Sequence, residues 1–283
     1  MNELDRRAAD AYCRCLTSGH YENFVVASVL VPQRTRIDLA RIYAFCRITD
    51  DLGDESGSRE AAQARLERWR GEVLAMFSGT PAVHPVLAVL RETIERAHIP
   101  ARPFLDLIEA NMLDQRVSHY RDWPELEGYC RFSAAPVGRM VLAAFGITDP
   151  RAPALSDDVC IGLQLANHAQ DVKRDAAMGR RYLLDEDVER AGVAGAVRSL
   201  IERARSLLDS GRALEPMAPF VLRLQLSLYR LGGHAICDAV ERIAYRTDRV
   251  RPTVSRGTKA LILLRAFAGA LLPRGVAGRA EPA

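Results

Sequence analysis

Helix breakers punctuate this chain closely, and their spacing limits its fold. Pro and Gly mark Pro32, Gly57, Gly79–Pro81, Pro100–Pro103, Pro124, Gly146–Pro153, Gly179, Gly192, Gly211, Pro216 and Pro252. Between the marks lie segments of roughly 12 to 25 residues rich in Ala, Leu, Arg and Glu, which favour helix. No alternating apolar–polar run of useful length offers a strand. The breaks are too short for interdomain linkers, and there is no repeat or low-complexity block. The expectation is an all-α chain of about ten helices in a single domain.

Composition removes several function classes. With 48% hydrophobic and 27% charged residues, the 283-residue chain is globular and long enough for a large core. Its net charge is +3 and its basic residues are spread out, so nucleic acid is not the default partner. The six cysteines form no CxxC pair and the six histidines are scattered, so no zinc site is expected. MNELDRRAAD is no signal peptide, which implies reduced thiols in a cytoplasm. No uncharged apolar run reaches spanning length, since Arg265 splits KALILLRAFAGALLPR. That segment reads in two ways. It is a last core helix followed by a loose GVAGRAEPA end, or a helix on a membrane surface whose Arg256, Lys259, Arg265 and Arg274 meet anionic lipid.

RITDDLGDE, residues 47–55, places Asp50, Asp51, Asp54 and Glu55 directly after the apolar LARIYAFC. On a helix advancing about 100° per residue, Tyr43, Arg47, Asp50 and Asp54 share a stripe about 60° wide. Asp51 and Glu55 fall toward its flank. A solvated helix end accounts for exposed acids, but acids favour helix N-termini and these come late. Like charges four residues apart repel by a few tenths of a kcal/mol when exposed. On a buried face the cost rises to several kcal/mol unless cations compensate. Spacing alone leaves a metal site and a solvated end equally open.

A second segment, IGLQLANHAQDVKRDAAMGRRYLLD, residues 161–185, repeats the arrangement. Placed on one helix, Gln164, Asn167, Asp171 and Asp175 form a polar stripe about 80° wide that extends an apolar run. Lys173, Arg174, Arg180 and Arg181 accompany it. Two such stripes suggest facing halves of one site. Magnesium favours carboxylate oxygens together with substrate phosphates. Acids at the mouth of an apolar helical cavity therefore suit a long apolar molecule ending in a diphosphate. Metal and nearby cations would stabilise the departing diphosphate. The carbocation left behind needs an apolar, aromatic pocket that keeps water out.

YAFCRITDDLGDE paired with NHAQDVKRDAAMGRRYL resembles the squalene and phytoene synthase family of head-to-head isoprenoid synthases. The family's first motif is Y-A-x-x-R-x-x-D-D-x-x-D-E. Its second is N-x-x-x-D-x-x-x-D followed by G-R-x-Y-L-P, matched here by Asn167, Asp171, Asp175, Gly179, Arg180, Tyr182 and Leu183, with Leu184 in place of the Pro. MLDQRVSHYRDWPELEGYCRFSAAPVGRM matches as well, through Asp114, Tyr120, Tyr129, Cys130, Pro136, Val137 and Gly138. The resemblance implies the isoprenoid synthase fold, a single helical domain around a central cavity. It takes residues 1–283 as one domain, with about 20–255 as the core and 256–283 as a C-terminal helix and tail.

HYENFVVASVLVP and SAAPVGR resemble the hydroxysqualene synthase branch of the bacterial hopanoid pathway. That implies conversion of presqualene diphosphate and water to hydroxysqualene and diphosphate, with Mg2+ and without NADPH. The chain has no glycine-rich dinucleotide motif, although such a motif is not the only way to bind NADPH. Val25 replaces the branch's Pro, Ala135 its Asn, and His168 and Ala169 the aromatics inside the second motif. These changes leave the acids intact and the exact product open.

The resemblance assigns metal to Asp50, Asp54, Asn167, Asp171 and Asp175, and catalysis to the four aspartates with Tyr43 and Arg47. Asn23, Phe24, Arg47, Tyr129, Gln164, Lys173, Arg181 and Tyr182 bind substrate. For each aromatic, ordinary core packing is an equal reading. Asp51 and Glu55 orient ligands or pair with basic residues. His168 touches diphosphate or water, or is simply packed. Asp114 matches a family position without an assigned step. Ala134, Ala135 and Gly138 are small enough to line a wide cavity. The partners implied are the isoprenoid diphosphate, a peripheral contact with the inner face of the membrane, and other squalene and hopanoid pathway enzymes. Rival readings are a presqualene diphosphate or phytoene synthase, a terpene cyclase, and a non-catalytic relative. The intact carboxylates argue against the last, and Asn167, Asp171 and Asp175 against the cyclase.

Overall fold

Where the sequence places its breakers, the chain turns. A computed structural model describes residues 3–18 and 30–271. Among the described residues are twelve α-helices, a 3-10 segment at Gly211–Met217 and no strand. The helices are α1 (Glu3–Ser18), α2 (Gln33–Asp54), α3 (Arg59–Phe77), α4 (Pro85–Ala97), α5 (Arg102–Asp114), α6 (Trp123–Ser133), α7 (Ala135–Ala144), α8 (Ala152–Gln170), α9 (Val172–Ala177), α10 (Asp185–Ser210), α11 (Phe220–Arg242) and α12 (Arg256–Leu271). The count exceeds ten because Pro136 divides α6 from α7 and a kink at Asp171 divides α8 from α9.

Local chemistry sets the starts. Ser58 accepts a hydrogen bond from the Ala61 N–H at 3.2 Å, and Asp122 accepts one from the Glu125 N–H at 3.1 Å. Each satisfies a donor that a helix start leaves open. Proline stands in the first turn of α4 to α8, where no intrahelical N–H is lost. Gly192 adopts φ 67° and kinks α10 without ending it.

Two large apolar cores fill the molecule. The first gathers α1 to α5 with part of α7 around Phe45, Trp69 and Phe104. Phe45 stacks on Trp69 at 5.7 Å and meets Phe104 edge-on at 5.0 Å. The second joins α6, α8, α10 and α11 around Leu126, Leu165, Val197 and Ile201. α2 and α8, which carry the two acidic stripes, belong to different cores; both pack on α7. A buried clamp ties α1, α2 and α4 together. Arg41 donates to Asp10 at 2.8 Å, Glu92 at 2.9 Å and Thr93 at 3.3 Å, and Thr93 donates to Asp38 at 2.7 Å.

Gly138 has a role other than the one expected. A Cβ there would lie 2.3 Å from Ser156 Oγ and 2.7 Å from Cys160 Sγ. Its small size lets α7 press against α8 rather than widening a cavity. Ala135 is likewise fully buried.

Candidate functional site

The core-facing side of α2 fixes the direction of its acids. Ile42, Phe45 and Thr49 are buried, and Trp69 Nε1 donates to Thr49 Oγ1 at 3.0 Å. Tyr43, Arg47, Asp50 and Asp54 therefore turn away from that core. Asp50 is open to water on one side but walled by protein on the others. Burial pushes its carboxyl up to about 6; the Asn111 donor pulls it down, and Asp54 pushes it up. Asn111 Nδ2 reaches Asp50 Oδ1 at 3.2 Å from α5. Burial also raises the Tyr43 phenol, against the pull of Arg47. Arg47 lies 2.6 Å from Asp51 and 3.6 Å from Glu55, so the two flanking acids pair with a basic residue of their own helix.

The second stripe does not lie on one straight helix. α8 ends at Gln170, Asp171 sits at φ −101° and ψ 14°, and the short α9 follows. The stripe survives the kink, because Asp171 N still donates to Asn167 O at 2.9 Å and Asp175 N to Asp171 O at 2.8 Å. Residues 249–252 strap across the kink. Arg251 donates to both carboxylate oxygens of Asp171 and, at 3.2 Å, to Gln170 Oε1; Gln170 Nε2 donates to Pro252 O at 2.8 Å. Lys173 Nζ donates to Arg249 O at 3.2 Å. Asn167 is exposed. Gln164 exchanges hydrogen bonds with Ser133 of α6 at 2.8 and 2.9 Å.

After Asp175 the chain turns at Gly179, which adopts φ 71°, and two arginines diverge. Arg181 pairs with Asp185, and its N–H donates to Ser118 O at 2.8 Å. Arg180 reaches across to α2, with Nη2 2.9 Å from Asp54 Oδ1. This contact joins the two motifs. Burial works against the Arg180 charge, but Asp114 and Asp54 outweigh it and hold the guanidinium above its usual range.

Beneath Arg180 lies Asp114, which accepts from Tyr129 Oη at 3.0 Å and Tyr182 Oη at 3.5 Å. Burial raises its carboxyl to about 6 despite the opposing Arg180 charge. Tyr120, Tyr129 and Tyr182 form one aromatic group, with Tyr129 and Tyr182 centroids 5.7 Å apart. His168 stacks on Tyr182 at 3.6 Å, and its Nδ1 lies 3.8 Å from Asp175 Oδ2. Burial lowers its pKa against the pull of Asp175, which favours a neutral imidazole. A cleft of about 410 Å³ runs beside this group, lined by His168, Val172, Asp175, Arg180, Tyr182 and Val188 among others.

Asn23 and Phe24 lie outside the described residues. Arg180 stood in the second motif without a role, and Asn111 and Arg251 were not foreseen. Asn111 was within reach of the sequence: with Asp114 and Gln115 it forms an i, i+3, i+4 polar stripe on the apolar α5. Nothing local marked Arg251, which meets Asp171 across 80 residues.

Among the described residues, no three His, Cys, Asp or Glu side chains gather closely enough to hold a metal by themselves. The donor set is nevertheless all oxygen, and Asp175 Oδ2 is buried without a hydrogen-bond donor, as a cation-facing oxygen can be.

The model of the family described as Squalene/phytoene synthase matches residues 17–258. A hydroxysqualene synthase from Sinorhizobium fredii (strain NBRC 101917 / NGR234) is 33% identical over 73% of this chain and 75% of its own. Phytoene synthase 1, chloroplastic, from Solanum lycopersicum is 30% identical over 94% of this chain and 69% of its own. Among solved structures, a squalene synthase from Alicyclobacillus acidocaldarius aligns with a TM-score of 0.79 at 42% identity, covering 86% of this chain and 97% of that one. A dehydrosqualene synthase aligns with a TM-score of 0.82 at 23% identity, covering 94% and 98%, and supports the fold alone.

Proposed function

Because the chain belongs to the squalene/phytoene synthase family, whose members are isoprenoid synthases acting on isoprenyl diphosphates, we propose that it is a hydroxysqualene synthase. In this reading presqualene diphosphate and water become hydroxysqualene and diphosphate. The carbon–oxygen bond to diphosphate breaks and the oxygen keeps the electron pair. The cyclopropylcarbinyl cation rearranges, and water adds to it and gives up one proton.

The observation that carries the reading is the Arg180 bridge. A cation from the second motif rests on Asp54 of the first, beside the half-buried Asp114 whose charge favours it. Such a cation, held by Asp54 and favoured by Asp114, can meet a leaving diphosphate. Asp50, Asp54, Asn167, Asp171 and Asp175 are the residues that would hold Mg2+, with water and phosphate oxygens completing the coordination. Bound there, the metal supplies charge neutralisation to the departing diphosphate. The tyrosine and histidine group offers aromatic faces to a cation and keeps bulk water from one side. The hydroxysqualene branch is favoured by the HYENFVVASVLVP and SAAPVGR segments and by the 33% identity to the S. fredii enzyme.

A second reading, head-to-head condensation of two isoprenyl diphosphates as in a phytoene synthase, is favoured by the 30% identity to the tomato enzyme over 94% of the chain. One incubation separates the two. Purified protein, presqualene diphosphate and Mg2+ are mixed without NADPH, with EDTA as the control, and the products are read by mass spectrometry. Mg2+-dependent hydroxysqualene is the expected result. No turnover by folded protein overturns it, and product from geranylgeranyl diphosphate alone would establish the second reading.

A further inference from the structure

α12 leaves a broad apolar face uncovered. It packs on α11, with Ala266 and Ala270 buried against Leu224 and its neighbours Phe220, Leu228 and Leu231. Its other side points outward, although the Phe267 ring also meets Phe220 of α11 edge-on at 6.1 Å. Leu261 is 46% exposed, Leu264 69%, Phe267 46% and Leu271 62%. Together with Leu263, these make five of the thirteen large hydrophobic side chains exposed among the described residues, all on a helix of 16 residues. Scattered exposed leucines are ordinary, whereas a concentration of this kind marks a surface that meets something apolar.

The charges say what that something is. At about 100° per residue, Leu263, Phe267, Leu271, Leu264 and Leu261 span about 160° of the helix. Lys259 and Arg265 stand about 40° beyond its two edges, and Arg256 lies at its N-terminal end. The helix contains no Asp or Glu. A second copy pressed against this face would bring like charges together with no acid on α12 to answer them. No described helix is long and apolar enough to cross a membrane.

We infer that α12 is an interfacial helix: it lays Leu261, Leu264, Phe267 and Leu271 into the headgroup boundary of an anionic lipid surface, with Lys259 and Arg265 held at the level of the phosphates. The docking is independent of the reaction proposed above. Its geometry also explains why Ala266 and Ala270 face α11, since small side chains let the helix lie close to the body while its bulky side chains turn outward.

The test uses the whole chain and sedimentation with vesicles of phosphatidylcholine, with and without a quarter of phosphatidylglycerol. The protein is expected to partition onto the anionic vesicles at least about tenfold better than onto the neutral ones, and to lose that preference in high salt. Leu264→Glu with Phe267→Glu is expected to abolish binding to both. Lys259→Glu with Arg265→Glu is expected to remove the anionic preference. Both pairs are exposed, so unchanged circular dichroism and melting will show that the fold is kept. No partition onto anionic vesicles, or binding that survives both double variants, overturns the inference. A solution dimer that Leu264→Glu dissociates would instead assign the face to a second copy, and overturns it as well.

Discussion

Arg180 is the residue on which the two motifs converge, and its environment makes it hard to replace. It reaches Asp54 at 2.9 Å while the Asp114 charge favours it from below. Arg180→Gln keeps the size and removes the charge, so a loss of about 100-fold or more in kcat is expected, the scale of a transition-state donor. Arg180→Lys should recover part of it, and single-turnover kinetics will show whether the loss lies in the chemical step. Gly53 is a less obvious case. An alanine inside a helix usually stabilises by about 1 kcal/mol over glycine. Here the added Cβ would lie 2.8 Å from Asn111 Oδ1, on the side chain that holds Asp50. Gly53→Ala is therefore expected to lower activity without raising the melting temperature. Gly53→Ala with Asn111→Ala should recover melting but not turnover.

Asp114 gives a pH test with a definite sign. Its native carboxyl stands at about 6, raised from the ordinary 3.8 chiefly by burial. Between those values the native state keeps a proton that the unfolded chain releases. The contribution of this group to stability is therefore greatest at low pH and declines as pH rises through that window. Asp114→Asn removes the titration. Melting curves of the two proteins should agree near pH 4 and separate above pH 6, with the variant the more stable. A constant difference across the range would show that Asp114 does not titrate as described.

Among the elements, the kink between α8 and α9 separates local from global stability. Arg251 and the Gln170–Pro252 bond strap residues 249–252 over the kink. Arg251→Ala is expected to speed amide exchange in the strap and in α9 while leaving the global melt nearly unchanged, because Arg251 is exposed. Phe45→Ala, deep in the first core, should instead cost about 3–5 kcal/mol in a denaturant melt. The kink also shows where sequence reading stops. A wheel assumes one axis, and it put Asn167, Asp171 and Asp175 on one face. That pattern survives because the i to i−4 bonds continue through the turn. The bonds that strap the break come from Arg251 and Pro252, about 80 residues away, and no local period encodes a partner at that distance. Pro124 and Gly179 were legible for the opposite reason, since backbone geometry is written in the residue itself.

At the scale of the molecule, the two acid sets belong to different cores, and the described side-chain links between them are few: the Arg180–Asp54 contact and the α5 residues Asn111 and Asp114. Asp50 and Asp54 on one side and Asp171 and Asp175 on the other carry like charge, with Asp50 raised to about 6, and leave the halves repelling wherever cations fall short. A ligand that binds both sets should therefore stabilise the whole fold rather than one half. Mg2+ with inorganic diphosphate is the simplest such ligand. At about a hundredfold excess over its dissociation constant it should add about 2.7 kcal/mol, which for a chain of this size raises the melting temperature by roughly 5 °C. Neither Mg2+ nor diphosphate alone should match that rise, and EDTA should reverse it. Asp50→Asn and Asp175→Asn, one in each motif, should each abolish most of it. If only one of the two matters, the ligand sits on one half and the stripes do not share it.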